Sequence, residues 1–254
     1  MNRLLVSLLA LCAFVFLGGA RDPILVTEVS QHQINLQQGF NGTDLLLFGA
    51  VLTPEGSRAA QDYDIVVVLK GPTQSVVLRE KQKVAGIWVN AASTELRSAP
   101  SYYAVASTRP IADIVDEKTA AIYELGLQWL QLSPIGAIDP EEQARFSAGL
   151  VARNVDAGLY REDEGGVSVS EQVLYQARIR LPSQVPIGRY TAETFAISEG
   201  RVVASASSDV EVRKLGIERA IADFSQNWGF AYGLLAVFVS VGMGWLAGRL
   251  FALV

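Results

Sequence analysis

The chain is poor in the side chains that bind soft metals or staple a fold. In 254 residues cysteine occurs once (Cys12), histidine once (His32) and methionine twice (Met1, Met243). A zinc or copper site draws on several His, Cys or Met ligands, which one histidine cannot replace, so no metal and no cofactor are expected. With Cys12 near the start of the chain, the remainder must fold without a disulfide, and a domain of about 200 residues buries enough apolar surface to do so. Calcium would need alternating oxygen ligands. The acidic stretch from Arg161 to Gly166, "REDEGG", lacks that spacing and reads as a solvated turn.

Catalytic signatures are missing too. The sequence contains no G-x-S-x-G elbow, no P-loop and no G-x-G-x-x-G. In "VSQHQINL" alternation places His32 with Ser30, Ile34 and Leu36 on one strand face, a structural position rather than that of a base. The expectation is therefore that the protein is not an enzyme. Setting aside Arg3 and Arg249, 19 Lys+Arg stand against 26 Asp+Glu, a balance of −7. With no basic patch in the sequence, nucleic acid and anionic lipid are argued against as direct partners.

Long uncharged runs are present, and they lie at the two ends. Gly229 to Gly248 is twenty residues without a charge. At about 1.5 Å per residue it reaches roughly 30 Å, the thickness of a bilayer's hydrocarbon core. Trp228, Tyr232 and Trp245 stand where aromatic belts flank a spanning helix. A transmembrane helix is expected over 228–249, with 250–254 as a cytoplasmic tail. At the other end Arg3, an apolar run from Leu4 to Leu17, and small Gly18 and Ala20 predict a signal peptide over 1–20. Together the two ends place the bulk of the chain, 21–227, in the periplasm of a bacterium and the anchor in its inner membrane.

Between the ends the apolar period changes twice. From Ile24 to about Thr108, short β-branched runs such as "YDIVVVLKG" and "QSVVLRE" alternate with the turn stretches "FNGT", "TPEGS" and "KGPTQ". Over "IADIVDEKTAAIYELGLQWLQL" Ile111, Ile114, Val115, Ile122, Leu125, Trp129 and Leu132 recur at helical spacing. A second helix is predicted from Asp139 as cap, through Pro140, to about Ala157, with Gly158 as its stop. Strand alternation then returns at Val173 to Leu181, and "VPIGRY" reads as a turn that delivers Tyr190 into the edge of a core, as in immunoglobulin-like sandwiches. The fold class expected is mainly β: an immunoglobulin-like antiparallel sandwich over 21–213 with a helical hairpin inserted near 111–158. An amphipathic connecting helix over 214–227, with Ile217, Ile221, Phe224 and Trp228 on one stripe, leads into the membrane helix. Two domains split near residue 110 are the alternative.

The segment from Gly86 to Ile111 gathers Trp88, Tyr102 and Tyr103 with Asn90 and Arg109 in a short span. Core packing accounts for such a span, and so does a binding edge in which these five side chains meet a partner. With "GIWVN", "PSYYAVASTRP", the signal segment and the C-terminal anchor in this order, the whole chain resembles a family of alphaproteobacterial single-pass transmembrane proteins of unknown function. The resemblance implies location and architecture and carries no catalytic residues. It further implies the company of a permease of the sulfite-exporter type. Within the membrane helix, Ala236, Ser240, Gly244 and Gly248 are spaced four apart and form a seam of small residues, which allows close approach of a second helix. The function expected is a membrane-anchored accessory or binding module acting with a membrane transporter or envelope complex, homo-oligomers included. A stand-alone structural or stress-related envelope protein, or an enzyme with an unrecognised carboxylate site, are the alternatives.

Overall fold

The computed structural model describes residues 23–36, 40–52, 63–171, 173–214, 221 and 224–251. The expected signal segment 1–20, most of the connecting segment and the last residues of the tail fall outside them. The chain is mainly β, a sandwich with inserted helices and one C-terminal apolar helix, as its sequence predicts. One sheet has four strands in the order β1 (Ile24–Val29), β3 (Thr43–Leu52), β10 (Leu174–Leu181), β9 (Val167–Ser170). The second has six, in the order β2 (Gln33–Leu36), β12 (Arg201–Lys214), β11 (Gly188–Ser198), β4 (Asp64–Lys70), β7 (Tyr103–Ser107), β8 (Tyr160–Glu164). Two further strands, β5 (Thr73–Val84) and β6 (Ile87–Pro100), form a separate ladder, and Leu96 of β6 also bridges to Pro134.

Pairing is mostly antiparallel, with two exceptions at the margins of the six-stranded sheet. There β2 runs parallel to β12, and β8 parallel to β7. "REDE" therefore is not a turn. It forms most of an edge strand, with Tyr103 opposite Tyr160 and Ser107 opposite Glu164. Exposed charges on an edge strand discourage pairing with another chain. His32 lies in the corner between β1 and β2, exposed and 3.0 Å from Glu28.

Strand β10 alternates as its sequence indicates: Tyr175, Ala177, Ile179 and Leu181 are buried against the opposing sheet. Strand β4 behaves differently, because Ile65, Val66, Val67, Val68 and Leu69 are all fully buried. Its odd-numbered residues Ile65, Val67 and Leu69 enter the sandwich core, while Val66 and Val68 face the other way into a second core. That second core is closed by the helical insertion through Ile111, Ile114, Val115, Ala120 and Leu125.

The helical period over 111–132 does not give one helix. It breaks into α1 (Ile111–Ile114), α2 (Glu117–Tyr123) and a 3-10 turn at Leu127–Trp129. Val115 and Asp116 are extended, and the Asp116 carboxylate accepts a hydrogen bond from the Thr119 N–H, starting a new helix instead of continuing the first. Left-handed Glu124 and Gly126, at φ 53° and 109°, then end α2. The second helix, α3 (Pro140–Asp156), starts at its Asp139 cap, and Gly158 follows at φ 69°. It does not pair with α2. Its Leu150 packs with Leu96, Ala99 and Leu132, so α3 supports the base of the β5–β6 hairpin.

Past Lys214, Ile221 and the stretch from Phe224 to Asn227 are helical. The N–H of Trp228 bonds to the Phe224 carbonyl and that of Tyr232 to the Trp228 carbonyl, carrying the helical ladder into α4 (Gly229–Phe251). At about 1.5 Å per residue α4 is long enough to span a bilayer. The stretch Gly229–Arg249 has a mean hydropathy of 1.8, and none of it is buried against the rest of the described chain.

Gly49 in β3 shows how tightly the four-stranded sheet is set. It lies in register between Thr27 and Tyr175, and the Tyr175 hydroxyl crosses over it to donate to the Val26 carbonyl at 3.1 Å. A Cβ at that position would overlap the Val26 carbonyl oxygen and press on the Tyr175 hydroxyl. Gly49→Ala is expected to cost about 3 kcal/mol, the upper part of the range for overpacking. Chemical denaturation of parent and variant measures it, and a loss below about 0.5 kcal/mol would contradict this packing.

Candidate functional site

Five tyrosines, Tyr102, Tyr103, Tyr160, Tyr175 and Tyr190, are fully buried, and each hydroxyl donates to a backbone carbonyl: Arg180, Glu124, Pro100, Val26 and Pro186 respectively. Buried phenols are costly unless their hydroxyls find a partner. Here the partners are loops and neighbouring strands, so each ring fills a core and its hydroxyl ties a segment down. Burial pushes the phenols of Tyr102, Tyr103 and Tyr190 well above the ordinary value, and that of Tyr160 up to about 12. They stay neutral and act as donors.

This decides the fate of the five-residue span expected to meet a partner. Tyr102, just ahead of β7, and Tyr103, its first residue, point to opposite faces, so Tyr102 joins the sandwich core and Tyr103 the helical core. Tyr102 stacks obliquely on Tyr190 with ring centroids 5.9 Å apart, and Tyr103 meets Tyr160 edge-on at 6.2 Å. Neither hydroxyl reaches the surface. Arg109 is at the surface but is committed to Asp64: its Nε donates to Oδ1 at 2.8 Å and its Nη2 to Oδ2 at 2.7 Å. Thr108 adds a third hydrogen bond to Asp64, at 3.0 Å. The five residues are therefore not brought together. Trp88 and Asn90 stand on the distal part of the β5–β6 hairpin, where Trp88 is 65% exposed.

Sequence reasoning did not single out the polar node under α2. Lys70, at the end of β4, pairs with Glu124 at 2.7 Å and Glu193 at 3.4 Å. The Tyr103 hydroxyl donates to the Glu124 carbonyl at 2.6 Å and accepts from the Gly126 N–H at 3.0 Å. Glu124 also accepts from the Gln131 N–H at 3.1 Å. These contacts hold a glutamate in the left-handed region, a strained conformation for a residue with a Cβ. Every member has a partner within the chain, and the node's work is to lock the helical layer to the sheet.

Two shallow grooves border the helices. One, of about 300 Å³, lies between the hairpin and α3 and is lined by Arg79, Glu80, Arg145, Phe146, Leu150 and Arg153; across it Arg145 pairs with Glu80 at 3.1 Å. The other, of about 510 Å³, lies beside Tyr160 and includes Arg161, Glu162 and Arg180; Glu162 accepts from the Leu127 N–H. Among the described residues no group of three or more His, Cys, Asp or Glu is placed to hold a metal ion. The seam Ala236, Ser240, Gly244, Gly248 lies along α4, and the Ser240 hydroxyl donates to the Ala236 carbonyl at 2.9 Å, satisfied within its own helix.

The family model described as "Putative transmembrane protein (Alph_Pro_TM)" matches residues 24–252, and the chain belongs to that family. The match covers the sandwich, the helical layer and α4 together, so the anchor is part of the family's common architecture. Searches of curated proteins and of solved structures found no match.

The Arg109 fork, with Thr108 assisting, holds the Asp64 carboxyl below the usual carboxylate range. A group whose pKa is lowered on folding contributes stability above its unfolded value, about 4, and loses it as the pH falls through the folded value. Asp64→Asn is therefore expected to be less stable than the parent at neutral pH, with the gap closing below about pH 4. Melting temperatures across that range test it; a gap that widened on acidification would contradict the assignment.

Proposed function

We propose that this member of the Alph_Pro_TM family is a membrane-anchored accessory module, which holds its sandwich in the periplasm and acts by contact with an integral membrane protein such as a permease. One observation carries the reading. The exposed apolar side chains run the length of α4 and recur at the hairpin tip and on the outer face of the four-stranded sheet (Ile24, Val26, Phe48, Leu52, Leu174), while much of the polar chemistry of the domain is spent on internal ties. A catalytic reading would be favoured by a cleft with converging, unpaired polar groups. In the two grooves Arg145, Arg161 and Glu162 are instead bound to neighbouring groups of the same chain. Contact work needs what the chain does offer: a rigid body, an anchor and an exposed edge.

The two ends of the chain set the orientation in this reading. A cleaved segment 1–20 exports the domain, and α4 stops transfer, leaving Arg249 at the inner flank. The partner meets α4 along the small-residue seam, where backbones can approach closely and packing drives association in lipid. A second copy of the chain could use the same seam, and the test separates the two. Of the five side chains in the aromatic span, Trp88 and Asn90 remain exposed, on the distal part of the hairpin.

Gly244→Leu is expected to insert normally but to reduce stoichiometric co-purification from mild detergent about tenfold, as loss of roughly 1.4 kcal/mol of helix packing implies. Quantitative co-purification with the membrane partner, beside a dimerisation assay on α4 alone, reads it. If Gly244→Leu and Gly248→Leu both associate as the parent does, α4 is an anchor only and the reading fails.

A further inference from the structure

We infer that the tip of the β5–β6 hairpin is a lipid-contacting element that seats in the headgroup layer of an anionic bilayer. This goes beyond the accessory reading and takes from it only that the domain is tethered at a membrane. The ladder shifts register between Glu80 and Lys81, where Ala91 is left unpaired, and from there runs to a turn at Ala85 and Gly86, both at positive φ (50° and 87°), the backbone hand that suits a two-residue hairpin. Its lower part is supported by α3, through Leu96, Ala99 and Leu150 and through the Glu80–Arg145 pair. Beyond Glu80 almost every residue to Ala91 is exposed. At about 3.4 Å per residue, that free part extends about 15 Å.

What sits there is unusual for a solvent-facing turn. Val84, Ile87 and Trp88 are 55%, 69% and 65% exposed at the apex, and Val89 follows. Contiguous exposed apolar groups on a soluble domain mark an interaction surface. Directly behind them Lys81 and Lys83 face Asn90 and Trp88 across the ladder, and neither lysine has an ion-pair partner among the described residues. From Lys81 to Thr94 there is no acidic residue. The acids of the hairpin lie lower: Glu80 is held by Arg145, and Glu95 accepts from Ser75 at 2.6 Å. The domain as a whole is acidic, so the tip carries the opposite charge to its surroundings. Whole-chain charge argues against anionic lipid, but the fold segregates two lysines and the apolar apex away from the acids.

Apolar apex, indole, then a pair of lysines is the order in which a bilayer changes from acyl chain to headgroup to phosphate. Indoles favour the interface, and lysines near an anionic surface extend their ammonium groups to the phosphates along apolar stems. A protein partner would more often demand a complementary acid or an arginine-rich centre; here the charge is lysine, set behind an apex of Val84, Ile87 and a single indole. The depth is limited. Both strands have an unpaired edge at this height, and unpaired backbone groups are excluded from hydrocarbon, so only the apical side chains pass the headgroups.

The test uses the full chain with Cys12→Ser and Ile87→Cys, the new thiol carrying an environment-sensitive fluorophore, in phosphatidylcholine vesicles with or without phosphatidylglycerol. With phosphatidylglycerol the emission should shift to the blue and be quenched by a spin label carried near the lipid headgroup. Lys81→Gln with Lys83→Gln should reduce the ratio of seated to free tip about 25-fold, about fivefold for each lysine, and Trp88→Ala roughly tenfold. These positions lie beyond the supported base, so an unchanged melting temperature verifies the fold of each variant. A label that stays open to an aqueous quencher in phosphatidylglycerol vesicles would overturn the proposal. So would shielding that is independent of lipid charge, or that appears only at high protein-to-lipid ratio, which would assign the tip to a protein surface or a second copy. Co-purification through α4 is read separately, and its failure leaves this result untouched.

Discussion

The structure depends on a strand that must be covered on both sides. From Ile65 to Leu69 β4 has no exposed residue, so neither face of the six-stranded sheet around it can be left to water. Burying a Val or Leu side chain is worth about 1.5–3 kcal/mol, and β4 alone commits five such residues. The four-stranded sheet covers Ile65, Val67 and Leu69, and the short helices cover Val66 and Val68. Strand β7 repeats the arrangement, with Ala104 and Ala106 on one side and Tyr103 and Val105 on the other. Sandwich and helical layer are thus halves of one body that share a central sheet, and a separate domain beginning near residue 110 would leave Val66 and Val68 in solvent.

That constraint also governs where polar groups go. A sheet buried on both faces needs its covering segments fixed at their ends, and the buried hydroxyls and Lys70 do this. Tyr103 and Lys70 hold the strained Glu124 corner, Tyr160 holds the end of β6, and Tyr190 holds its own turn at Pro186. With the interior so committed, contact with other molecules is left to the exterior: the outer face of the four-stranded sheet, where Ile24, Val26, Phe48, Leu52 and Leu174 are exposed, and two elements that stand clear of the body, the free end of the β5–β6 hairpin and the length of α4. The hairpin is held at its base by α3, and α4 is long and apolar enough to cross a bilayer.

Much of this was legible in the sequence, and each failure has its own physical cause. The alternation of β10, the Asp139–Pro140 start of α3, the turn before Tyr190 and the uncharged run of α4 are local signals, each read from neighbouring residues. The continuous runs "DIVVVLK" and "YAVAS" also carry the mark of strands buried on both faces, because their apolar residues do not alternate. Taken that way, Tyr102 and Tyr103 belong to two cores and not to a binding edge. Their closeness to Trp88 in sequence is undone by the length of β6, which returns the chain from the hairpin tip to the body. The "REDE" strand was not legible, because parallel pairing with β7 joins residues more than fifty positions apart and leaves no local pattern. The 111–132 period misleads for another reason: short helices on a sheet also place apolar residues every three or four positions, and the Asp116–Thr119 cap that divides them lies within the same pattern. The basic tip was hidden by averaging, since two lysines vanish in an acidic total until the fold separates them from it.

Backbone hydrogen exchange on the full chain in a neutral bilayer tests the shared central sheet most directly. Amides of β4 and β7 should exchange slowest, in one global opening that also exposes α1, α2 and β10, while amides from Lys81 to Asn90 should exchange fastest within the β5–β6 hairpin. If α1 and α2 opened in a separate transition while β4 stayed protected, the helical layer would be an accessory to a self-sufficient sandwich, and the two-sided burial of β4 would not be what holds the molecule together.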